Sequence, residues 1–511
     1  MDKFIEKHQD KIVGVLSCFD RMIIKGYLPF RTGPAVEQFL YNRVGILLKS
    51  FRSYMKKMTM ELREHAEKIA AQHNRPIEFI NTEFRKDDYV RKIAERDNIK
   101  EGLICILRVL EEGPSYQFRY GEGRPYLSPC RPRCMTIYYY FIDPEFGLMH
   151  IRLQAWLPLT IQFYLNGHEW LAKQLNKKGI KYKKVENAFL SIDNFSYAQR
   201  IADKFCRIGW IKKLNGLSRR VNPYFSTILK GMEYYWVLDQ VEYSTDIIFT
   251  DRPALESLYQ NMQKHAAVCI QAEDLLKLLG KKLDGRFRGE VGNIFKNRLP
   301  FTRVKHQVNG NWIKMYDKFG SVLRVETVIN RPYWFKVRRR CLRKGKEIID
   351  WCPMAKCISN MYRYQDIGLM ANKRYVSMMA GVIDPQESFL KLNKLCEPVF
   401  VGKYRYRGFN PLKRSDLDLF RAVNRGDYSI NGFKSSDMAL HLGITLSKDI
   451  TERRRQSARL NRIIRIFHSH GLIAKVQNTK RYRLTVYGTE MMSSALYLYR
   501  EKYPEILNKA A

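Results

Sequence analysis

The sequence predicts a multidomain α+β protein: a basic mixed helix/sheet body followed by a compact C-terminal module of three helices and a β-hairpin. Three observations carry this expectation. Period-2 or continuous apolar runs mark strands near residues 12–27, 102–110, 135–165, 243–251 and 303–336, and apolar residues at helical spacing fill much of the chain between them. From residue 415 onward the order is helix, short helix, long helix, strand, polar tip, strand, with capping residues at the joints.

Near the N-terminus, 12–18 and 22–27 read as two strands with Asp20 at their junction, and 33–73 as one helix with a positive face. The strand-like run 102–110 ends in Glu111 and Glu112, and the Gly, Pro and Arg residues of 113–133 predict a loop or inter-lobe linker. In 135–165, His150, Arg152 and Gln154 alternate with Ile151, Leu153 and Ala155, as on a strand with one polar face. Such a row is a candidate phosphate-contacting or metal-proximal row, though more commonly it is simply the wet face of a sheet. Helices are expected from there to about 243, followed by an apolar run that holds Asp246. Asn309-Gly310 and Phe319-Gly320-Ser321 supply the turns of a three-stranded meander over 303–336. Behind it, Lys336, Arg338, Arg339, Arg340, Arg343, Lys344 and Lys346 crowd into eleven positions. The expected segments are an N-terminal α/β lobe over 1–125, a central body over 134–400, and a terminal module over 412–490.

The 511 residues carry 90 Lys+Arg against 51 Asp+Glu, a formal charge of +39, and 45% are hydrophobic. That apolar content excludes wholesale disorder, and the cation surplus calls for a polyanion, of which nucleic acid is the commonest. No run approaches the roughly 18 apolar residues of a spanning helix; the most hydrophobic stretch, 156–165, is broken by Pro158 and Gln162. With a charged N-terminus and no secretory signal, a cytoplasmic protein without a membrane partner is expected. The ten cysteines lack framework spacing. Cys130 with Cys134 and Cys352 with Cys357 are loose for a zinc site and far apart, so they read as buried thiols.

The long C-terminal helix, about 448–470, turns Leu460, Ile463, Ile464 and Phe467 inward and carries Arg453, Arg454, Arg455, Arg459, Arg462 and Arg465. Its C-terminal His468 and His470 read as helix-end cations. A hairpin follows with Lys480, Arg481 and Arg483. The stretch RRRQSARLNRIIRIFHSHGLIAKVQNTKRYRLTVYG resembles the recognition helix and wing of a MarR-type winged-helix domain. That resemblance implies a helix in the major groove of duplex DNA and a wing on the flanking minor groove or backbone. The basic aromatic connector before it, with Tyr404, Tyr406 and Phe409, suits stacking on bases as well as core packing.

A second string, WIKMYDKFGSVLRVETVIN, resembles a motif of rolling-circle and phage replication initiators, which nick DNA with a tyrosine and a bound divalent ion. The resemblance implies Tyr316, Asp317, Lys318, Arg324 and Glu326 on adjacent strands, with Glu326 a metal ligand. The sequence departs from that family in having no His-hydrophobic-His pair on a strand. Independently, Asp20, Glu111, Asp246 and Glu326 each lie in or beside a strand-like run of a chain poor in acids. Carboxylates so placed are candidate catalytic residues of a Mg²⁺-dependent nuclease or transposase, with Asp20, Asp246 and Glu326 as metal ligands. Arg21, Arg108, Arg252 and Arg324 lie near them in sequence, and ordinary ion pairing is the competing role.

The function expected is a nucleic-acid-binding protein of a mobile element or replicon that acts on DNA as a transposase, recombinase or replication initiator. The nucleic-acid contacts expected are Arg338, Arg339, Arg340, Arg343, Lys344, Arg453, Arg454, Arg455, Arg459, Arg462, Lys480, Arg481 and Arg483. RNA is a second candidate partner for the body. The alternative class is a non-enzymatic DNA-binding regulator or architectural protein.

Overall fold

The computed structural model describes residues 1–30, 32–80, 86–121, 123–268, 270, 272–281, 291–298, 301–343, 345–380, 392–424, 428, 432–445, 447, 449–477 and 479–502. Helices and strands are mixed throughout, around a large open sheet. In chain order the strands are β1 (Ile12–Tyr27), β2 (Ile77–Phe79), β3 (Gly102–Glu112), β4 (Ser115–Gly121), β5 (Arg124–Cys130), β6 (Arg133–Asp143) and β7 (Gly147–Gln154). Next come β8 (Ile161–Asn166), β9 (Tyr182–Val185), β10 (Ala188–Ile192), β11 (Tyr235–Phe249), β12 (Val291–Arg298), β13 (Phe301–Val308), β14 (Asn311–Lys318) and β15 (Val322–Ile329). The remaining six form hairpins: β16 (Lys336–Arg343) with β17 (Lys346–Pro353), β18 (Val399–Val401) with β19 (Tyr404–Tyr406), and β20 (Ile473–Lys475) with β21 (Tyr482–Leu484).

The chain forms two compact units, each gathered from separate stretches. One comprises Leu16–Thr245 and Thr327–Gly368. Its strand order is β11-β1-β8-β7-β6-β3-β2, antiparallel from β1 to β3 and closed by the parallel pair β2/β3. The helix Lys86–Arg96 buries Val90 and Ile93 against Ile104, Leu107, Tyr138 and Tyr140. The other unit comprises Met1–Val15, Asp246–Glu326 and Leu369–Ala511. It holds the meander, and within it residues 392–495 build a core of their own around Phe409, Phe420, Ile464, Phe467 and Met491. No helix among the described residues is long and apolar enough to cross a membrane.

Several expectations change. Residues 12–27 form one strand, because hydrogen bonds from Asn166 and Asn187 hold Asp20 inside the sheet and no break is needed there. The predicted 33–73 helix is interrupted: Gly45 takes φ 74°, and a new helix, Phe51–Gln72, starts beyond it. Residues 113–133 are largely the hairpin β4/β5, whose prolines sit in a two-stranded ribbon with solvent on its edges. The region expected to be helical up to 243 contains the β9/β10 hairpin and the start of β11. The meander gains a strand, β12, paired along its length with β13.

The polar row of β7 is also not a wet face. His150 and Gln154 are buried and Arg152 is half-buried. His150 stacks on Tyr164 at 5.0 Å, and burial lowers its pKa to about 4 despite nearby Asp87. Gln154 donates to Pro114 O and Trp156 O and accepts from Thr160.

In the meander unit, Arg324 is fully buried and donates through Nε and Nη2 to the two oxygens of Asp246, each at 2.6 Å. Removing one member of such a pair strands the other charge in the interior. Arg324→Ala is therefore expected to cost about 3–5 kcal/mol, read as a lowered urea midpoint, while the double replacement Asp246→Leu with Arg324→Met recovers most of the loss. A single variant as stable as the parent would show the pair to be dispensable.

Asp317, at the end of β14, accepts from Gly320 N–H at 3.0 Å, while its Oδ2 has no partner among the described residues. Burial lifts its pKa to about 6, against the Gly320 hydrogen bond and the Arg252 charge, and with Glu256 reinforcing the rise. The folded protein thus holds this proton more tightly than the unfolded chain does. The resulting stability is full below the unfolded pKa, near 4, and is lost as pH rises through about 6. Urea midpoints of Asp317→Asn, compared with the parent from pH 4 to 7, are expected to lack that decline. Parallel curves would mean that Asp317 titrates normally.

Candidate nucleic-acid interface

The C-terminal module is built around the helix Ile450–Ser469. Asp449 caps it by accepting from Glu452 N–H at 2.8 Å, a contact of the kind worth about 1 kcal/mol. Leu460, Ile464 and Phe467 are buried, as their spacing requires. Arg453, Arg454, Arg455, Arg459, Arg462 and Arg465 are all exposed. Arg455 stands 3.8 Å from Glu452; the other five have no carboxylate within ion-pair reach among the described residues.

Ahead of this helix come Arg414–Val423 and Ser435–His441; after it come the β20/β21 hairpin and a further helix, Val486–Tyr497, that the sequence reading missed. Phe433 makes an isolated bridge to Tyr482, which brings a third extended segment onto the hairpin. Gly432 permits that approach: at φ 63°, a Cβ there would meet Tyr482 O at 2.5 Å. Lys480 and Arg483 are exposed, whereas Arg481 is half-buried and donates to Gly432 O at 3.3 Å.

Other polar groups of the module are structural. Arg407 forks onto both oxygens of Asp416 at 2.7 and 2.8 Å and ties the connector to the first helix. His470 is buried against Phe409 and bonded to Arg407 O at 2.9 Å, and its pKa is lowered by that burial; a helix-end cation it is not. His468 is exposed and lines an open cleft with Arg465, Tyr406, Lys475 and Tyr482. Of the connector aromatics, Phe409 is core and Tyr404 is exposed.

In the first-described unit, the basic run forms β16 of a two-stranded ribbon. Arg338, Arg339, Arg340 and Arg343 are exposed; Lys344 lies outside the described residues. Arg343 pairs with Asp350 at 2.8 Å.

The four acids singled out from the sequence each have donors of their own. Asp20 accepts from Asn166 and Asn187 at 2.8 Å and has His168 Nδ1 3.5 Å away. Glu242, an acid the sequence reading passed over, comes within 4.8 Å of Asp20 and pairs with Arg21 at 2.6 Å. Ser244 Oγ lies 3.5 Å from His168 Nε2, so serine, histidine and aspartate fall in line, but all three are buried and that hydroxyl faces no solvent. Glu111 is bonded to Lys86 at 2.8 Å, to Tyr138, and to Arg152 at 3.0 Å; burial opposes its charge, yet these donors win and its pKa is lowered. Asp246 is held by Arg324, and Glu326 by Lys314 and by Tyr316 O–H at 2.8 Å.

A Mg²⁺ ion takes carboxylate oxygens and water in a strict octahedron. At Asp246 and Glu326 it would have to displace an arginine and a lysine already bonded to those oxygens. This donor set does not suit a Mg²⁺ site. The partners of Asp20 and Asp246 come from distant parts of the chain, which no local sequence signal announces, whereas those of Glu326 sit on the preceding strand β14. A scan against protein-family models, a search of the curated proteins and a search of the solved structures each return no match.

Proposed function

We propose that this is a nucleic-acid-binding protein whose C-terminal module grips duplex DNA as a winged helix, with Ile450–Ser469 in the major groove and the β20/β21 tip on the flanking backbone. The observation that carries this reading is the outward face of six arginines, five of them lacking an acid partner among the described residues. A helix face that rests in water ordinarily interleaves charge signs; one left this unbalanced is complementary to phosphate. Of the hairpin's cations, Lys480 and Arg483 are the contacts, and Arg481 braces the tip. The paired state of Asp246, Glu326 and Glu111 favours holding DNA over cutting it. The setting in a mobile element or replicon rests on the size of the basic body ahead of the module, and is proposed as the context in which the duplex is held.

Replacing Arg454, Arg455 and Arg459 with Ala is expected to weaken duplex binding across sequences. The slope of log affinity against log salt should fall by as much as about 3 units. The measurement is an equilibrium titration with a labelled duplex at several salt concentrations. Parent-like slopes in the triple variant would take this helix off the DNA.

A further inference from the structure

The ribbon β16/β17 carries an unusual face. Antiparallel register places Arg338 opposite Trp351, Arg340 opposite Ile349, and Leu342 opposite Glu347, all six on one side. Trp351 is 49% exposed, Ile349 59% and Leu342 74%. Folding has left an aromatic ring and two large aliphatics in water, in line with two exposed arginines. Asp350 projects to the other side with Arg339. Residues 336–353 hold seven cations against Glu347 and Asp350.

Trp351 is also pre-set. The Arg363 guanidinium lies 5.4 Å over its ring, and Arg363 is itself anchored by donating to Lys336 O at 3.0 Å. One ring face is thus backed by a cation while the indole remains half exposed. A planar aromatic so held is a platform for another flat ring.

We infer that this face of the ribbon is a contact for single-stranded nucleic acid, in which Trp351 stacks on an unpaired base and Arg338 and Arg340 take the adjoining phosphates. The inference rests on the nucleic-acid reading above and deepens it from duplex alone to duplex plus an unpaired strand. The charge excess selects a polyanion, and the alternation of ring and cation along one line matches a strand that alternates base and phosphate. An anionic membrane surface is the other polyanion to weigh, but it favours an apolar wedge set apart from its cations. Here Arg338 stands directly opposite Trp351.

The test uses the full chain as parent, Trp351→Ala, Trp351→Phe, and the double Arg338→Ala with Arg340→Ala. Each is titrated with an oligothymidylate, an oligouridylate, a duplex, and vesicles containing phosphatidylserine, all at one near-physiological salt. Because Trp351 is half exposed, an unchanged melting temperature is expected and is checked first. Trp351→Ala should lose about ten-fold in affinity for the single strand, Trp351→Phe should keep most of it, and duplex affinity should not move in either. The double arginine variant should lose single-strand affinity, and its slope of log affinity against log salt, read at further salt concentrations, should become shallower by as much as about 1.4 units. The thymidylate and uridylate arms tell DNA from RNA as the strand bound.

Parent-like single-strand binding by Trp351→Ala overturns the inference, and so does an equal loss toward duplex. Vesicle binding that depends on Trp351, without oligonucleotide binding, overturns it in favour of a membrane contact. A parent chain that binds neither duplex nor single strand removes the proposed function and this inference together. Intact duplex binding with no effect at Trp351 removes the inference alone.

Discussion

A shortage of acids governs this molecule. With 51 carboxylates against 90 basic side chains, many of the acids are drawn to cations that are buried or half-buried. Asp246 serves Arg324, Glu326 serves Lys314, Glu111 serves Lys86 and Arg152, and Asp416 serves Arg407. Asp239 serves both Lys25, at 2.8 Å, and Lys356, at 3.1 Å. These pairings offset the cost of taking charge out of water, a cost of several kcal/mol for an ion left alone in the interior. Outside, on the helix Ile450–Ser469, five exposed arginines have no carboxylate within ion-pair reach among the described residues.

The same shortage separates two kinds of cation that look alike in the sequence. Arg407 sits in a basic, aromatic connector that suggests polyanion contact, yet its fork is closed on Asp416. Arg459 and Arg462, on the helix Ile450–Ser469, face outward with nothing to close upon among the described residues. Only the second kind is available to a phosphate backbone, so a count of basic residues overstates the binding surface.

How much was legible in the sequence follows from the range of the forces involved. The long helix expected over about 448–470 spans Ile450–Ser469 and the hairpin after Gly471 forms as β20/β21, whereas the helix Val486–Tyr497 behind them was not anticipated. The caps and periodicity that place the first two are local signals. Burial of the β7 row was not legible, because period 2 says that two faces differ and never which one another element will cover. Here the helix Lys86–Arg96, some sixty residues upstream, brings Asp87 to within 3.0 Å of Tyr140 O–H, beside His150. The hairpin β4/β5 was hidden by Gly and Pro, which mark loops only when no cross-strand partner compensates. The acids were visible as anomalies in apolar runs, but the asparagines on Asp20 and the arginine on Asp246 come from far along the chain. Trp351 gave no signal at all, since sequence does not tell an exposed tryptophan from a buried one.

The two compact units and the terminal module differ in how they are wound. Strands β1, β11 and β15 each start in one unit and finish in the other, so each unit is stitched from non-adjacent lengths of chain. Residues 392–495, by contrast, draw their core from a single uninterrupted length. That core can be moved to an unrelated body as one contiguous cassette. The remainder, wound back and forth between two units, offers no such contiguous cassette.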